Sequence, residues 1–189
     1  LSLMIIKNFN INFLVNTILV TSAFYLFFIT LKDFFTKKFK NLSQNLGHFG
    51  FSLLILSILF NNIFSSEIIT NLKVGETFKS EKFEINFENI EQKQEKNYKV
   101  IIGKFNVKNL NDRFKILRPE LRIYNQPNVV TSEADIKTDL LADRFMTMNL
   151  VQNQEYFNIR YQVKPFMIWI WLSVILISSA GLISLFKKR

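Results

Sequence analysis

The sequence contains no cysteine and a single histidine, and it has only five glycines and three prolines among 189 residues. Without cysteine it can form no disulfide, no thiolate metal ligand and no cysteine nucleophile. The lone histidine, His48, lies outside the polar middle of the chain, so that part holds neither a Ser/His/Asp set nor a His/Cys cluster. It also has no glycine-rich phosphate loop. Composition therefore identifies no catalytic centre.

Charge is missing from three long apolar runs, which are residues 11–31, 42–60 and 166–186. Each is about 20 residues, the length that a helix needs to cross a hydrocarbon core about 30 Å thick. A buried helix of a soluble protein would show a polar face, and these runs do not. The first run is too long for a signal peptide, and basic residues follow it where a cleavage site would be. We therefore predict three spanning helices.

The net charge of +9 is concentrated at the flanks of these runs. Residues 62–164 are nearly neutral, with 16 basic against 14 acidic residues. The excess lies in two short segments: Lys32, Lys37, Lys38 and Lys40 in the first loop, and Lys187, Lys188 and Arg189 at the end. Such segments stay in the cytoplasm, which predicts that residues 62–164 are outside. A nucleic-acid partner would require a basic face on the folded domain, so we expect none.

Two tryptophans mark the start of the third apolar run. Trp169 and Trp171 follow Lys164 and Pro165. Indole rings favour the headgroup level of a membrane, and proline is tolerated in the first turn of a helix. We interpret them as interface residues, with ordinary core residues as the alternative.

The segment between the second and third runs reads as β-structure. Apolar and polar residues alternate at 83–88 and at 157–163, the pattern of half-buried antiparallel strands. Residues 98–107 and 120–124 are further candidates, with turns at Gly75 and at 125–128. Residues 91–97 are expected to be a hairpin loop, and 135–144 a short helix or a loop. Five to seven strands would form a small barrel or sandwich.

These features divide the chain into four parts. Residues 1–41 hold the first transmembrane helix (11–31) and a basic cytoplasmic loop. Residues 42–61 form the second helix, which carries His48, and residues 62–164 form the antiparallel β-rich outer domain. Residues 165–189 hold the third helix and a basic cytoplasmic tail. The fold class is therefore an integral membrane protein with a β-rich domain between helices two and three.

His48 is the strongest candidate for chemistry, because ionisable residues inside a membrane helix are costly and usually functional. Gln44, His48 and Ser52 recur every four residues, which places them along one side of a helix. Gly47 and Gly50 flank the histidine and leave room for a bulky group. An imidazole there could bind a metal such as haem iron, or it could donate a hydrogen bond to a neighbouring helix.

Four segments give the sequence a resemblance to a known family. Asn-Leu-Gly-His-Phe-Gly stands at 45–50, and Lys-Val-Gly-Glu at 73–76. Pro-Glu-Leu-Arg-Ile-Tyr-Asn at 119–125 precedes Thr-Ser-Glu-Ala-Asp-Ile at 131–136, and Arg-Tyr-Gln-Val-Lys-Pro-Phe at 160–166 leads into Trp-Ile-Trp. In this order they resemble the last third of the CcmF/NrfE family of cytochrome c haem lyase subunits, over most of residues 40–189.

The resemblance implies a function. Proteins of this family attach haem b to apocytochrome c in the bacterial inner membrane, which we prefer here to the mitochondrial inner membrane. They receive haem from a haem chaperone and work with a thioredoxin-like, helical-repeat holder of the apocytochrome. The resemblance makes His48 an axial ligand of a structural haem b, with Gln44, Gly47, Gly50 and Ser52 lining its pocket. It also places residues 62–164 in the periplasm.

The departure from the family pattern is large. Its Trp-rich outer loop, its outer histidines and its other transmembrane histidine all lie upstream, and none is present here. We therefore expect a truncated record or the product of a split gene, inactive alone, whose second haem ligand comes from the N-terminal part of the lyase or another chain. The alternative is a non-catalytic, membrane-anchored β-domain that serves as an assembly factor or scaffold subunit. The two hypotheses differ at His48.

Overall fold

A computed structural model describes residues 13–36, 42–109, 114–151 and 155–186 of the chain. These residues fall into two compact units. One unit contains the helices together with the short segment Asp139–Ala142, and the other contains Ser66–Thr138 and Asp143–Lys164. Each unit is described separately below.

The helical unit contains α1 (Phe13–Thr36), α2 (Leu42–Phe64) and α3 (Met167–Phe186). All three are long and apolar enough to cross a membrane, which confirms the prediction of three apolar helices. The first extends to Thr36, beyond the predicted end at Leu31, because Lys32 and Asp33 continue the helix rather than ending it. The basic residues at 37–41 and 187–189 lie outside the described residues, so the orientation inferred from them stays a prediction.

The other unit is built from antiparallel strands. The described residues contain ten: β1 (Ser66–Leu72), β2 (Thr77–Lys79), β3 (Phe83–Gln94), β4 (Tyr98–Asn109), β5 (Lys115–Leu117), β6 (Glu120–Asn125), β7 (Asn128–Glu133), β8 (Asp135–Thr138), β9 (Ala142–Leu150) and β10 (Phe157–Pro165). One sheet has the order β1-β10-β9-β8, and the other β2-β3-β4-β6-β7 with β5 paired to β4. The chain passes from the first sheet to the second between β1 and β2, and it returns through a single residue, Ala134, between β7 and β8.

Apolar side chains from both sheets form one core. The alternation at 83–88 predicted a half-buried strand, and its apolar residues Phe83, Ile85 and Phe87 are indeed buried. Strand β10 supplies the opposite layer: the rings of Phe83 and Tyr161 are 5.3 Å apart, and those of Phe87 and Phe157 are 5.5 Å apart. The two alternating segments therefore lie close together in space, as their positions at opposite ends of the domain had led us to expect. The unit is a β-sandwich.

Three expectations about the strands were wrong. Residues 91–94 continue β3 instead of forming a loop, and only 95–97 make the turn. Residues 135–144 contain β8 and the start of β9, which pair with each other, rather than a short helix or a plain loop. The described strands also outnumber the five to seven expected, because several are short. The turns at Gly75 and at residues 125–128 are present.

Candidate functional site

Helix α2 presents one side to α3, and small residues make that contact possible. A Cβ atom added at Gly50 would lie 3.0 Å from Ile177 Cγ1 and 3.2 Å from the Ile177 backbone nitrogen. One turn earlier, a Cβ at Gly47 would lie 3.5 Å from Ala180 Cβ. The Ser43 hydroxyl donates to the carbonyl oxygen of Ala180 at 2.8 Å. This arrangement is the close backbone approach that small residues permit between membrane helices.

A second side of α2 faces α1. The hydroxyl oxygens of Ser52 and Thr30 are 2.7 Å apart, and Ser52 is fully buried. The Ser52 hydroxyl also bonds the carbonyl oxygen of Phe49 at 2.8 Å. Phe49 packs its ring 5.8 Å from that of Phe27 on α1. Ser52 therefore joins two helices, and its polar group is satisfied within the helical unit.

The third side of α2 carries the histidine. Gln44 and His48 are both exposed, and the same side continues through Phe51, Ile58 and Asn62. Their spacing of three, four or seven residues is that of one helical stripe. We call Gln44, His48, Phe51, Ile58 and Asn62 the open stripe of α2. It presents an imidazole beside the apolar side chains of Phe51 and Ile58, with the amides of Gln44 and Asn62 at its two ends.

The predicted site residues are therefore divided between three sides of one helix. Gln44 and His48 lie together on the open stripe, whereas Ser52 faces α1 and Gly50 faces α3. Gln44 and Ser52, eight residues apart, are rotated by about 80° relative to each other, since successive residues turn by about 100°. That drift turns Ser52 away from Gln44 and toward α1. The space beside Gly50 is filled by α3, so it serves helix packing in this unit.

The donor set at the open stripe is one imidazole. Within the described ranges no group of three or more His, Cys, Asp or Glu side chains could hold a metal ion. A lone imidazole can still supply one axial bond to an iron whose other ligands come from a porphyrin. Within the described residues the imidazole is exposed, so it is accessible to a cofactor or to a helix from outside this sequence.

Several carboxylates of the β-unit take part in ion pairs. Glu88 accepts hydrogen bonds from Lys104 and Asn106, and the Lys104 bond is the main reason that the Glu88 pKa lies below its usual value. Glu120 binds Arg122 at 2.9 Å and thereby raises the pKa of that guanidinium. These pairs are partly exposed and contribute little individually.

Sequence reasoning missed one feature of the helical unit. The segment Asp139–Ala142 belongs with the helices. The Trp169 indole donates a hydrogen bond to the carbonyl oxygen of Leu140 at 2.9 Å. The adjacent leucines at 140 and 141 were the available signal, since a turn usually carries polar residues or glycine.

Comparison with known proteins gives a consistent result. A profile of the family described as CcmF C-terminal beta-sandwich matches residues 63–165. Among curated relatives, the cytochrome c-type biogenesis protein CcmF of Haemophilus influenzae is 24% identical over 144 residues, which are 76% of this chain and 22% of that protein. The cytochrome c-type biogenesis protein ccl1 of Rhodobacter capsulatus is 28% identical over 123 residues, or 65% of this chain and 19% of that protein. The chain thus spans about a fifth of the length of these relatives.

A solved structure shares the fold. It is titled Cytochrome c Heme Lyase CcmF, and it superimposes with a TM-score of 0.63 at 14% sequence identity. The match covers 96% of this chain and 32% of the solved one. The likeness therefore includes both the helices and the strands.

Proposed function

Because this chain belongs to the CcmF C-terminal β-sandwich family, we propose that it is the C-terminal part of a haem lyase for cytochrome c biogenesis, with His48 as one axial ligand of a haem b. The relatives carry cytochrome c-type biogenesis in their names, and the solved structure carries haem lyase. Those proteins are several times longer than this chain. The attachment of haem to apocytochrome c is accordingly an activity of the whole assembly.

One observation carries the ligand assignment: His48 is exposed on the open stripe while α1 and α3 cover the other two sides of α2. An imidazole placed on an apolar surface without a task would be costly in a membrane. The haem would be a structural group there, held through its iron by the imidazole and through its apolar faces by the stripe. Gln44, one turn earlier, is the polar side chain nearest along that stripe.

For a bis-histidine haem the second axial ligand has to come from outside this sequence, since the chain has a single histidine. We propose that the N-terminal part of the lyase supplies it across the open stripe. Its other partners would be a haem chaperone and the apocytochrome with its thioredoxin-like, helical-repeat holder. The β-sandwich would face the periplasm of the bacterial inner membrane, on the side where cytochromes c are assembled.

The test is the haem spectrum of the reassembled lyase. The chain is co-expressed with the N-terminal part, purified, and compared with His48→Ala and with the control Leu182→Ala at an exposed position of α3. We expect a low-spin spectrum for the wild type and Leu182→Ala, and loss or conversion of that spectrum for His48→Ala. A change of axial ligand alters the spin state even where some haem is retained.

Equal low-spin haem in His48→Ala would contradict the ligand assignment and leave the histidine a structural hydrogen-bond donor. The absence of haem from every preparation, with both parts assembled, would instead favour the scaffold-subunit hypothesis. Membrane insertion, measured by extraction of the membrane fraction, should be the same in all three proteins.

A further inference from the structure

The hairpin tip at Leu140 and Leu141 is fixed to the start of α3. The Trp169 indole N–H donates to the Leu140 carbonyl oxygen at 2.9 Å, and the Phe166 backbone N–H donates to the Leu141 carbonyl oxygen at 2.8 Å. Phe166 has a positive φ of 61°, which is uncommon for any residue other than glycine. In this backbone conformation the Phe166 N–H bonds the Leu141 carbonyl oxygen. The tip is therefore held at the first turn of a membrane-spanning helix.

The backbone of the tip is satisfied by protein groups. The Ala142 carbonyl oxygen accepts a hydrogen bond from the Asp139 N–H at 3.0 Å. Three consecutive carbonyls, from Leu140 to Ala142, thus have partners within the helical unit. A loop in water can use solvent for this purpose, whereas a loop in contact with hydrocarbon has to pair its polar backbone internally. The carbonyls of residues 140–142 are paired internally, as contact with hydrocarbon requires.

The side chains of the tip point away from the protein. Leu140 is 66% exposed and Leu141 is 68% exposed. Two-residue hairpin tips in water are usually built from Asn, Asp or Gly. Two adjacent exposed leucines at such a tip create an apolar surface that water disfavours. The bonds to Phe166 and Trp169 hold this apolar surface beside the start of α3.

The depth of the tip follows from the helix that holds it. Helix α3 has 20 residues, a length of about 30 Å, which matches the hydrocarbon thickness. Its first turn therefore lies at the boundary between headgroups and acyl chains. Tryptophan is the side chain that favours this level, and Trp169 is the residue that binds the tip.

We propose that the Leu140–Leu141 tip is a lipid-binding anchor that inserts both side chains among the acyl chains of the leaflet in which α3 begins. This anchor holds the segment Asp139–Ala142 at the membrane surface, and it does not depend on the haem assignment. Its partner is the phospholipid acyl region, because the tip carries apolar side chains, internally paired carbonyls and an interfacial tryptophan.

The absence of cysteine makes a direct test possible. Leu141→Cys in the full chain is labelled with an environment-sensitive fluorophore and placed in phospholipid nanodiscs that contain a nitroxide quencher. The nitroxide lies either near the headgroup or near the end of the acyl chain. Ile175→Cys, at a 61% exposed position in the middle of α3, calibrates the deep position, and a free fluorophore–cysteine adduct calibrates water.

We expect the label at position 141 to be quenched by the shallow nitroxide about twofold more than by the deep one, with the reverse order at position 175. Quenching by aqueous iodide should be well below that of the free adduct. Circular dichroism checks folding, and Leu140→Cys on the same tip serves as a second probe if Leu141→Cys does not fold. Free access of iodide with no lipid quenching would overturn the proposal. Protection from both quenchers would also overturn it, and would mean that a protein covers the tip.

Discussion

Gly103 is the residue of the β-sandwich with the least room for a side chain. A Cβ atom there would lie 2.6 Å from Phe105 Cε2 and 2.8 Å from Met148 Sδ. Phe105 cannot turn aside easily, because it is fully buried and its ring stacks 4.2 Å from that of Phe87. We expect Gly103→Ala to lower the free energy of unfolding by about 1–3 kcal/mol, the usual cost of overpacking a core. Thermal unfolding followed by the β-sheet circular dichroism signal measures it.

The control is the same substitution at a position with free space. A Cβ at Gly181 in α3 would meet nothing within 4 Å, so Gly181→Ala should not destabilise the protein. A second comparison is Gly103→Ala in a Phe105→Leu background, where the smaller side chain removes the closest contact. If Gly103→Ala costs as much in that background as in the wild type, the clash with Phe105 is not the reason for the loss.

At the same scale, the sequence indicated a candidate residue of α2 but not its surroundings. His48 was singled out because it is the only histidine and lies in an apolar run. Periodicity could relate Gln44 to His48, which share the open stripe. It could not say that α3 fills the space beside Gly50, or that Thr30 on α1 pairs with Ser52. Those facts depend on which helices become neighbours, and a single helix does not encode that information locally.

At the scale of helices, the contact between α2 and α3 depends on Gly50. Ala at this position would place Cβ 3.0–3.2 Å from side-chain and backbone atoms of Leu176 and Ile177, and the backbone cannot give way without separating the helices. We expect Gly50→Ala to lower the thermal midpoint of the helical signal in detergent. Loss of close packing between the helices should outweigh the gain in helix propensity of about 1 kcal/mol that Gly→Ala normally brings.

Gly47→Ala is the matched control, because its Cβ would make an ordinary contact of 3.5 Å with Ala180. Both variants gain the same helix propensity and lie within one turn of each other, so the difference between them isolates the clash. A Gly50→Ala protein as stable as Gly47→Ala would show that α2 and α3 do not approach as closely as described here.

At the scale of strands, the sequence predicted those segments whose two faces differ in environment. Strand β3 alternates between buried and partly buried residues up to Glu88, and the alternation was readable there. Its continuation to Gln94 is mostly exposed on both faces, so no alternation remains to mark it as a strand. In residues 135–144, Ile136 and Leu140 stand four apart, as in a helix. The pairing of β8 with β9 makes this segment a hairpin instead. The local sequence pattern does not show which strands pair.

For the whole molecule, we predict that all three apolar helices cross the membrane, which would put the β-domain and the end of α3 on opposite sides. The domain lies between α2 and α3, and one further crossing separates it from the end of the chain. The two basic segments predict which side is which, since short basic segments remain in the cytoplasm. They are Lys32, Lys37, Lys38 and Lys40 in the first loop, and residues 187–189. We therefore expect the sandwich in the periplasm.

Compartment-specific reporters test this arrangement at two points. One is inserted after Asn97, in the exposed turn between β3 and β4, where it should not disturb the sandwich core. The other is fused after Arg189. A periplasm-dependent reporter should be active only at Asn97, and a cytoplasm-dependent reporter only at Arg189. Activity of both fusions on the same side would mean that α3 does not cross the membrane. If the Asn97 reporter is in the cytoplasm and the Arg189 reporter in the periplasm, the three crossings stand but the orientation predicted by the basic segments is wrong. The sandwich would then lie away from the compartment in which the proposed haem attachment occurs.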